Sequence, residues 1–159
     1  MIGWLLDTNV VAALINPSGA PSVKRWAAAQ AEWTLYLSVL TLGEYDQGIG
    51  NLADDHPDRS RYIAARDALE ARFSGRILPV SNAVVRRWGA ISGSVRRATG
   101  HRPPVIDTLL AATALEHQLF LVTRNVKDVR PSGVAVFDPW NDDAADFPVA
   151  RARTDTNRP

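Results

Sequence analysis

The sequence predicts an α/β fold in which helices cover both faces of an open, mainly parallel sheet. Short apolar runs alternate with helical segments along most of the 159 residues, as in chains that return to a parallel sheet through helices. The runs lack a strict apolar–polar alternation, which favours strands buried on both faces. The predicted strands are residues 4–6, 35–39, 76–80, 119–123 and 134–137.

Helices of the N-terminal half are predicted from their starts and apolar spacing. A helix follows the first strand after Asp7-Thr8-Asn9, and Pro21 opens a second helix. Thr41 and Glu44 fit a capping box, so we expect a third helix to begin at Thr41. Apolar residues at helical spacing predict a fourth helix over about 58–73.

Helices of the C-terminal half lead to the last two strands. Ser81 is expected to cap a long helix that Gly100 and the following prolines end, and residues 105–118 read as a buried apolar helix. We therefore predict one domain over 1–140. The acidic, arginine-containing segment 141–159 is predicted to be a flexible tail.

Composition narrows the function classes. The chain is 46% hydrophobic and 22% charged, contains no run long enough to span a membrane, and meets Asp7 too early for a secretory signal. It has no cysteine, which excludes disulfides, thiolate metal sites and cysteine nucleophiles. We expect a cytoplasmic protein without a membrane partner, whose metal ligands, if any, are oxygen or imidazole groups.

Acidic and amide side chains follow several predicted strands or begin the helix after them. Asp7 follows the first strand, Glu44 the second and Asn125 the fourth, while Asp107 opens the apolar helix and Asp128 lies three residues after Asn125. The carboxyl ends of parallel strands share one edge, where α/β proteins bind ligands. Crowded carboxylates repel unless a cation lies between them, and Mg²⁺ or Mn²⁺ prefers such oxygens. The pattern therefore favours metal-assisted phosphodiester hydrolysis.

Each of these residues also has a purely structural interpretation. Asp7 can cap the following helix, and Glu44 can complete the capping box with Thr41. Asp107 can interact with a helix macrodipole, and Asn125 can form an Asx turn.

Four segments together resemble the PIN-domain family, and within it the VapC and FitB toxins of bacterial toxin–antitoxin pairs. They are MIGWLLDTNVVAAL, LSVLTLGEYDQGI, PPVIDTLLAATALEHQLFLVTRNVKDV and VAVFDPW, in collinear order over about 1–140. The resemblance implies a three-layer α/β/α sandwich with a mainly parallel five-stranded sheet. It also implies a Mg²⁺- or Mn²⁺-dependent endoribonuclease that leaves a 5′-phosphate and a 3′-hydroxyl.

The resemblance also assigns site residues. The family's first three acids match Asp7, Glu44 and Asp107, and the fourth matches Asn125 or Asp128, of which Asn125 supplies no charge. Thr8, Asn9 and Thr123 match polar positions that would orient the acids. Separately from the resemblance, we expect arginines near the site, Arg124 and Arg102, to hold flanking phosphates.

Partners are implied as well. The resemblance implies homodimers or toxin–antitoxin hetero-oligomers, in which a VapB-like antitoxin covers the active site. The toxin would contact operator DNA only through this antitoxin. An apolar groove on the first helices, at Val10, Val11, Leu14, Trp26 and Tyr45, would accept that antitoxin, but most of these residues are expected to be plain core. Two alternatives stay open: a catalytically weak RNA- or antitoxin-binding module, favoured by Asn125, and a metal-dependent DNA nuclease.

Overall fold

Five short parallel strands form one sheet in the computed structural model, which describes residues 2–141. The strands are β1 (Trp4–Leu6), β2 (Leu35–Ser38), β3 (Ile77–Leu78), β4 (Phe120–Val122) and β5 (Val136–Phe137). Their order across the sheet is β3-β2-β1-β4-β5. Each strand lies inside its predicted segment, and all pairings are parallel, so the predicted α/β sheet is confirmed.

Seven α-helices connect these strands within the described residues. They are α1 (Thr8–Ile15), α2 (Pro21–Ala28), α3 (Val39–Gly50), α4 (Arg59–Arg72), α5 (Asn82–Thr99), α6 (Val105–Glu116) and α7 (Val126–Val129). Ser81 caps α5 as predicted, its hydroxyl accepting from the Val84 N–H at 3.2 Å. Gly100 ends α5 with φ +78°, a conformation that glycine adopts without strain.

The start of α3 corrects one prediction. Ser38 is its N-cap, and the Ser38 hydroxyl accepts from the Leu40 N–H at 3.0 Å. Thr41 therefore lies inside the helix instead of capping it, and Glu44 lies in the second turn. The predicted Thr41–Glu44 capping box is wrong because the strand ends one residue earlier than expected, at a residue that is itself a good cap.

Two hydrophobic cores, one on each face of the sheet, establish the three-layer arrangement. Trp4 and Leu6 of β1 face the first core, which contains apolar side chains from α1 to α4, while Leu5 faces the second, built on α6 and α7. Successive residues of one strand thus point into opposite layers. Four large rings contact one another in the first core: Trp4, Trp26, Phe120 and Phe137.

An arginine fork fixes the outer strand β3 to the rest of the sheet. The Arg76 guanidinium donates to the Glu32 and Leu35 carbonyls at 2.6 and 2.7 Å, and to the Arg72 carbonyl at 2.7 Å. It also lies 4.9 Å from the Phe73 ring centroid. This side chain joins the end of α4 to the entry of β2.

The strand order places a switch point between β1 and β4. The chain builds outward from β1 to β2 and β3, then crosses to β4 and β5 on the other side. Ligands of open α/β sheets bind outside the carboxyl ends of the strands at such a point.

Between residues 2 and 141, no helix is both long and apolar enough to span a bilayer. The flexible tail predicted for 141–159 lies, after Asn141, outside the described residues.

Candidate active site

Asp7 lies at the switch point, directly after β1, and is only 5% exposed. Its Oδ1 accepts from the Thr8 N–H at 2.6 Å, so it caps α1. Its Oδ2 accepts from the Thr123 hydroxyl at 2.7 Å and from Asn9 Nδ2 at 3.2 Å. Thr123 directly follows β4, so these hydrogen bonds close the gap between the two strands. Burial raises the pKa of Asp7, although the three hydrogen bonds oppose that effect.

Glu44 is held at the same edge through Thr8. The Thr8 hydroxyl lies 2.8 Å from Glu44 Oε1 and 3.0 Å from Thr41 Oγ1. A hydroxyl has one proton to give, and a carboxylate can only accept, so Thr8 donates to Glu44 and receives from Thr41. This relay is the role of the buried Thr41, which the sequence prediction assigned to a cap.

Asp107 lies in the first turn of α6, close enough to the other acids for their charges to change its pKa. The pKa of Asp107 is raised to about 6, first by burial and then by the charges of Asp7, Asp128 and Glu44. Among the described residues, no basic side chain forms an ion pair with any of these four carboxylates. Four acids from four chain segments thus share one region of uncompensated negative charge.

The two candidates for the fourth acid, Asn125 and Asp128, differ in their surroundings after β4. Asn125 is exposed, and its side chain does not cap α7, so the Asx cap considered for it is wrong. Its backbone N–H donates to Thr123 Oγ1 at 3.0 Å. Asp128, also exposed, lies within α7 and is the residue whose charge acts on Asp107.

Arg124 and Trp140 flank this loop. The exposed Arg124 guanidinium lies 5.3 Å from the Trp140 ring centroid, and the Arg124 N–H donates to Asn9 Oδ1 at 3.4 Å. Sequence reasoning found Arg124 but not Trp140, since a tryptophan after a strand carries no signal of its own about which side chain it will stack on.

The donor set fits a hard divalent cation in chemical type. It offers carboxylate oxygens and no thiolate. The pKa of Asp107 is raised first by burial and then by repulsion from the other acids, and a cation would relieve that repulsion. In residues 2–141, however, no three acidic or histidine side chains are already arranged as a ligand group. Carboxylates repel one another without a cation between them, so a bound ion would have to draw these side chains together.

A groove lies close to Glu44. Val10, Val11 and Trp26 are buried in the core, as expected for most of the apolar residues of the first helices. The observed cleft, here called the helix groove, has a volume of about 340 Å³. It is lined by Ala12, Ile15, Asn16, Pro17, Tyr45, Arg61, Tyr62 and Ala65. Ala12, Tyr45 and Tyr62 continue into a second cleft that reaches Thr8 and Glu44, so only Tyr45 of the predicted set lines it.

Known proteins resemble this chain in sequence and fold. The chain matches the PIN domain family over residues 4–128. It is 30% identical to the toxin FitB of Neisseria gonorrhoeae over 87% of this chain and 99% of that protein, and 28% identical to a VapC ribonuclease of Sinorhizobium fredii over 86% and 96%. Among solved structures, FitAB bound to a DNA fragment superposes with a TM-score of 0.78 at 28% identity, covering 88% of this chain and 97% of that one. The sheet order, the acid-lined switch point and these similarities together show that the chain belongs to the PIN-domain family.

Proposed function

We propose that this protein is a Mg²⁺- or Mn²⁺-dependent endoribonuclease and the toxin of a toxin–antitoxin pair. The observation that carries the proposal is the shared charge of Asp7, Glu44, Asp107 and Asp128 at the switch point, without a basic partner among residues 2–141. Similarity to a protein named VapC ribonuclease supports RNA as the substrate.

The carboxylates would divide the work according to how they are held. Asp7 and Asp107 would anchor the cation, since one is fixed by three hydrogen bonds and the other is destabilised by its neighbours. When bound, Mg²⁺ or Mn²⁺ lowers the pKa of water and neutralises charge developing on the phosphate. Glu44, oriented by Thr8, would hold the attacking water by a hydrogen bond. Asp128, in preference to Asn125, would complete the acidic set because it supplies the charge felt by Asp107.

The reaction is an in-line displacement at phosphorus. The oxygen of water attacks as the P–O3′ bond breaks, and the departing O3′ takes up a proton, which leaves a 5′-phosphate and a 3′-hydroxyl. Arg124, which stacks on Trp140 at the rim of the site, would hold a phosphate beside the cleaved bond.

An antitoxin would occupy the helix groove. An amphipathic segment could place apolar side chains against Tyr45 and Tyr62 and extend toward Glu44 along the adjoining cleft. An arginine at its end would compensate the uncovered carboxylates. We further propose that the protein acts in the cytoplasm and reaches operator DNA only through this antitoxin.

A second copy of the chain would cover the apolar side chains at the site edge. Val39, which follows β2, and Val105 and Ile106, which precede Asp107, are 39%, 56% and 38% exposed. Their exposure supports the homodimer expected from the family resemblance.

The decisive experiment is cleavage of labelled total RNA by purified protein freed of any partner, in Mn²⁺ and in EDTA. We expect discrete products that EDTA abolishes and that Asp107→Asn does not form. Products that persist in EDTA or in this variant would contradict the proposal. Labelled single- and double-stranded DNA, tested in parallel, identifies a DNA nuclease if it is the substrate cut instead.

The binding-module alternative rests on Asn125, an amide where some relatives place an acid. Growth arrest on expression without a partner separates the two functions. We expect Asp107→Ala to relieve arrest; arrest that persists in this variant would favour binding over cleavage.

A further inference from the structure

Two groups of arginines within residues 2–141 differ in their ion pairing. In α4 and at β3, Arg59, Arg61, Arg66, Arg72 and Arg76 each lie within 4.0 Å of a carboxylate. Residues 77–106, in contrast, contain five arginines and no acidic residue. All five are exposed, and only Arg87, which pairs with Glu116, has a carboxylate partner among residues 2–141. The α5 side of the molecule is therefore a positively charged surface.

Two of these unpaired arginines, Arg86 and Arg97, align along the outer face of α5. Arg86 and Arg97 are eleven residues apart, which on an α-helix corresponds to about 16 Å along the axis and a rotation of only about 20°. Val84 and Val95 are buried on the opposite side. Between the two arginines the face carries small residues, and a Cβ added at Gly89 or Gly93 would meet no atom within 4 Å. The surface between the charges is thus low and open to solvent.

This line leads to the acidic site. The Arg87–Glu116 ion pair joins the start of α5 to the end of α6, so the two helices run antiparallel. The end of α5, with Arg96 and Arg97, consequently lies beside the start of α6, which carries Asp107. Arg102 lies in the short connection between the helices, and the Thr99 hydroxyl, which accepts from the His101 N–H at 3.2 Å, orders that turn.

We propose that the outer face of α5 is a docking track for the phosphate backbone of RNA, with Arg86 and Arg97 as its contacts and the carboxylate site at its end. Guanidinium groups bind phosphate oxygens bidentately, and regularly spaced contacts to phosphates position a nucleic acid without reading its sequence. A protein partner would require buried aromatic or apolar anchors, whereas Val85 is the large apolar residue exposed on this helix. The track rests on the proposed ribonuclease function and identifies where the substrate lies beyond the cleaved bond.

The test measures RNA binding separately from cleavage. In an Asp107→Asn background with EDTA, a labelled twelve-nucleotide RNA of mixed sequence is titrated by fluorescence anisotropy at several salt concentrations. We expect Arg86→Gln/Arg97→Gln to weaken binding roughly tenfold near 0.1 M salt and to reduce the slope of log K against log salt by about 1.4, two single-strand phosphate contacts. The matched control is Arg25→Gln/Arg72→Gln, which removes the same charge from exposed positions of α2 and α4. We expect it to change affinity less than twofold.

Several results would overturn the track. If both double variants weaken RNA binding equally, net charge alone explains the effect. If neither weakens RNA binding, the α5 face does not contact RNA. Conversion of the Arg86/Arg97 variant to a smaller species on size exclusion would assign the face to contact between copies.

Cleavage distinguishes this inference from the proposed function. With the native acids and Mn²⁺, Arg86→Gln/Arg97→Gln is expected to raise KM and leave kcat unchanged. Cleavage with unchanged KM would refute the track alone. Absence of cleavage in the parent protein, with the binding pattern intact, would refute the nuclease alone.

Discussion

Replacing Asp107 by asparagine is expected to stabilise the ion-free protein at neutral pH while it abolishes cleavage. The folded state raises the pKa of Asp107 from its ordinary value of 3.8 to about 6, so ionising this group favours unfolding. The stability that the protein has with Asp107 protonated is fully present below about pH 4 and is lost as the pH rises through about 6. At pH 7.5 the charged carboxylate of Asp107 therefore destabilises the folded state, and the uncharged amide of asparagine does not.

The structure sets the size of this effect. A pKa raised from 3.8 to about 6 corresponds to about 3 kcal/mol. Asp107 is half-exposed, so solvent screening reduces the figure to about 1 kcal/mol. For a chain of this length that raises Tm by roughly 2–4 °C.

Thermal unfolding followed by circular dichroism, in EDTA, measures it directly. The gain of Asp107→Asn over the parent protein is expected at pH 7.5 and should shrink toward zero near pH 4. Asp55→Asn, which changes the net charge equally at an exposed loop residue, is the control and should gain far less. If the Asp107 variant is no more stable than its parent at pH 7.5, or gains equally at both pH values, the electrostatic reading of the site is wrong.

Three further variants test how the site and sheet are held. Thr123→Val removes the hydroxyl that donates to the buried Asp7 carboxylate, so it should lower the free energy of unfolding by about 1–3 kcal/mol and also reduce cleavage. Thr113→Val is the control: it removes a hydroxyl that is hydrogen-bonded within α6, and denaturant unfolding should show lower stability with cleavage unchanged. Thr8→Val releases Glu44 and should reduce kcat with little change in Tm, whereas Thr8→Ser should retain activity. Arg76→Lys keeps the charge but loses the fork, and urea unfolding should reveal a loss of about 2 kcal/mol with unchanged activity.

Local sequence patterns predicted the elements of this fold better than their junctions. The strands stood out as apolar runs, and Ser81 and Gly100 marked both ends of α5. The start of α3 was misplaced because Ser38 and Thr41 are both good caps. What decides between them is the pairing of Ser38 with Leu78 on β3, a contact across forty residues that no local pattern contains.

The same limit applies to the site. Asp7 and Asp107 were selected from their positions at element ends, which is local information. The hydrogen bond between Asp7 and Thr123 joins residues 116 apart and depends on β1 and β4 being neighbours. The groove could not be located for a related reason. An apolar helix residue can face the core or a cleft, and packing places Val10 and Val11 in the core, as expected for most of that set. The catalytic and metal-binding roles of the acids stay predictions.

Asp7 has a structural role and a proposed catalytic role, and we expect Asp7→Asn to keep the first and remove the second. The residue caps α1 through Oδ1 and supplies a buried negative charge at the site. Asparagine caps helices as well as aspartate and can accept the same Thr8 N–H, and it removes the burial penalty that raises the pKa of Asp7. Its Nδ2 would, however, replace the Oδ2 that now accepts from Asn9 Nδ2 and from the Thr123 hydroxyl, and the loss of this acceptor offsets part of that gain.

These opposing effects predict that Asp7→Asn stays within about 2 kcal/mol of the parent in urea unfolding and loses cleavage. Asp7→Ala, by contrast, removes the cap and strands the Thr8 and Thr123 donors, so it should cost about 3 kcal/mol. An Asp7→Asn protein that still cleaves RNA in a cation-dependent manner would show that the charge at the switch point does not carry the chemistry. An asparagine variant as unstable as the alanine variant would show that the carboxylate serves the fold first.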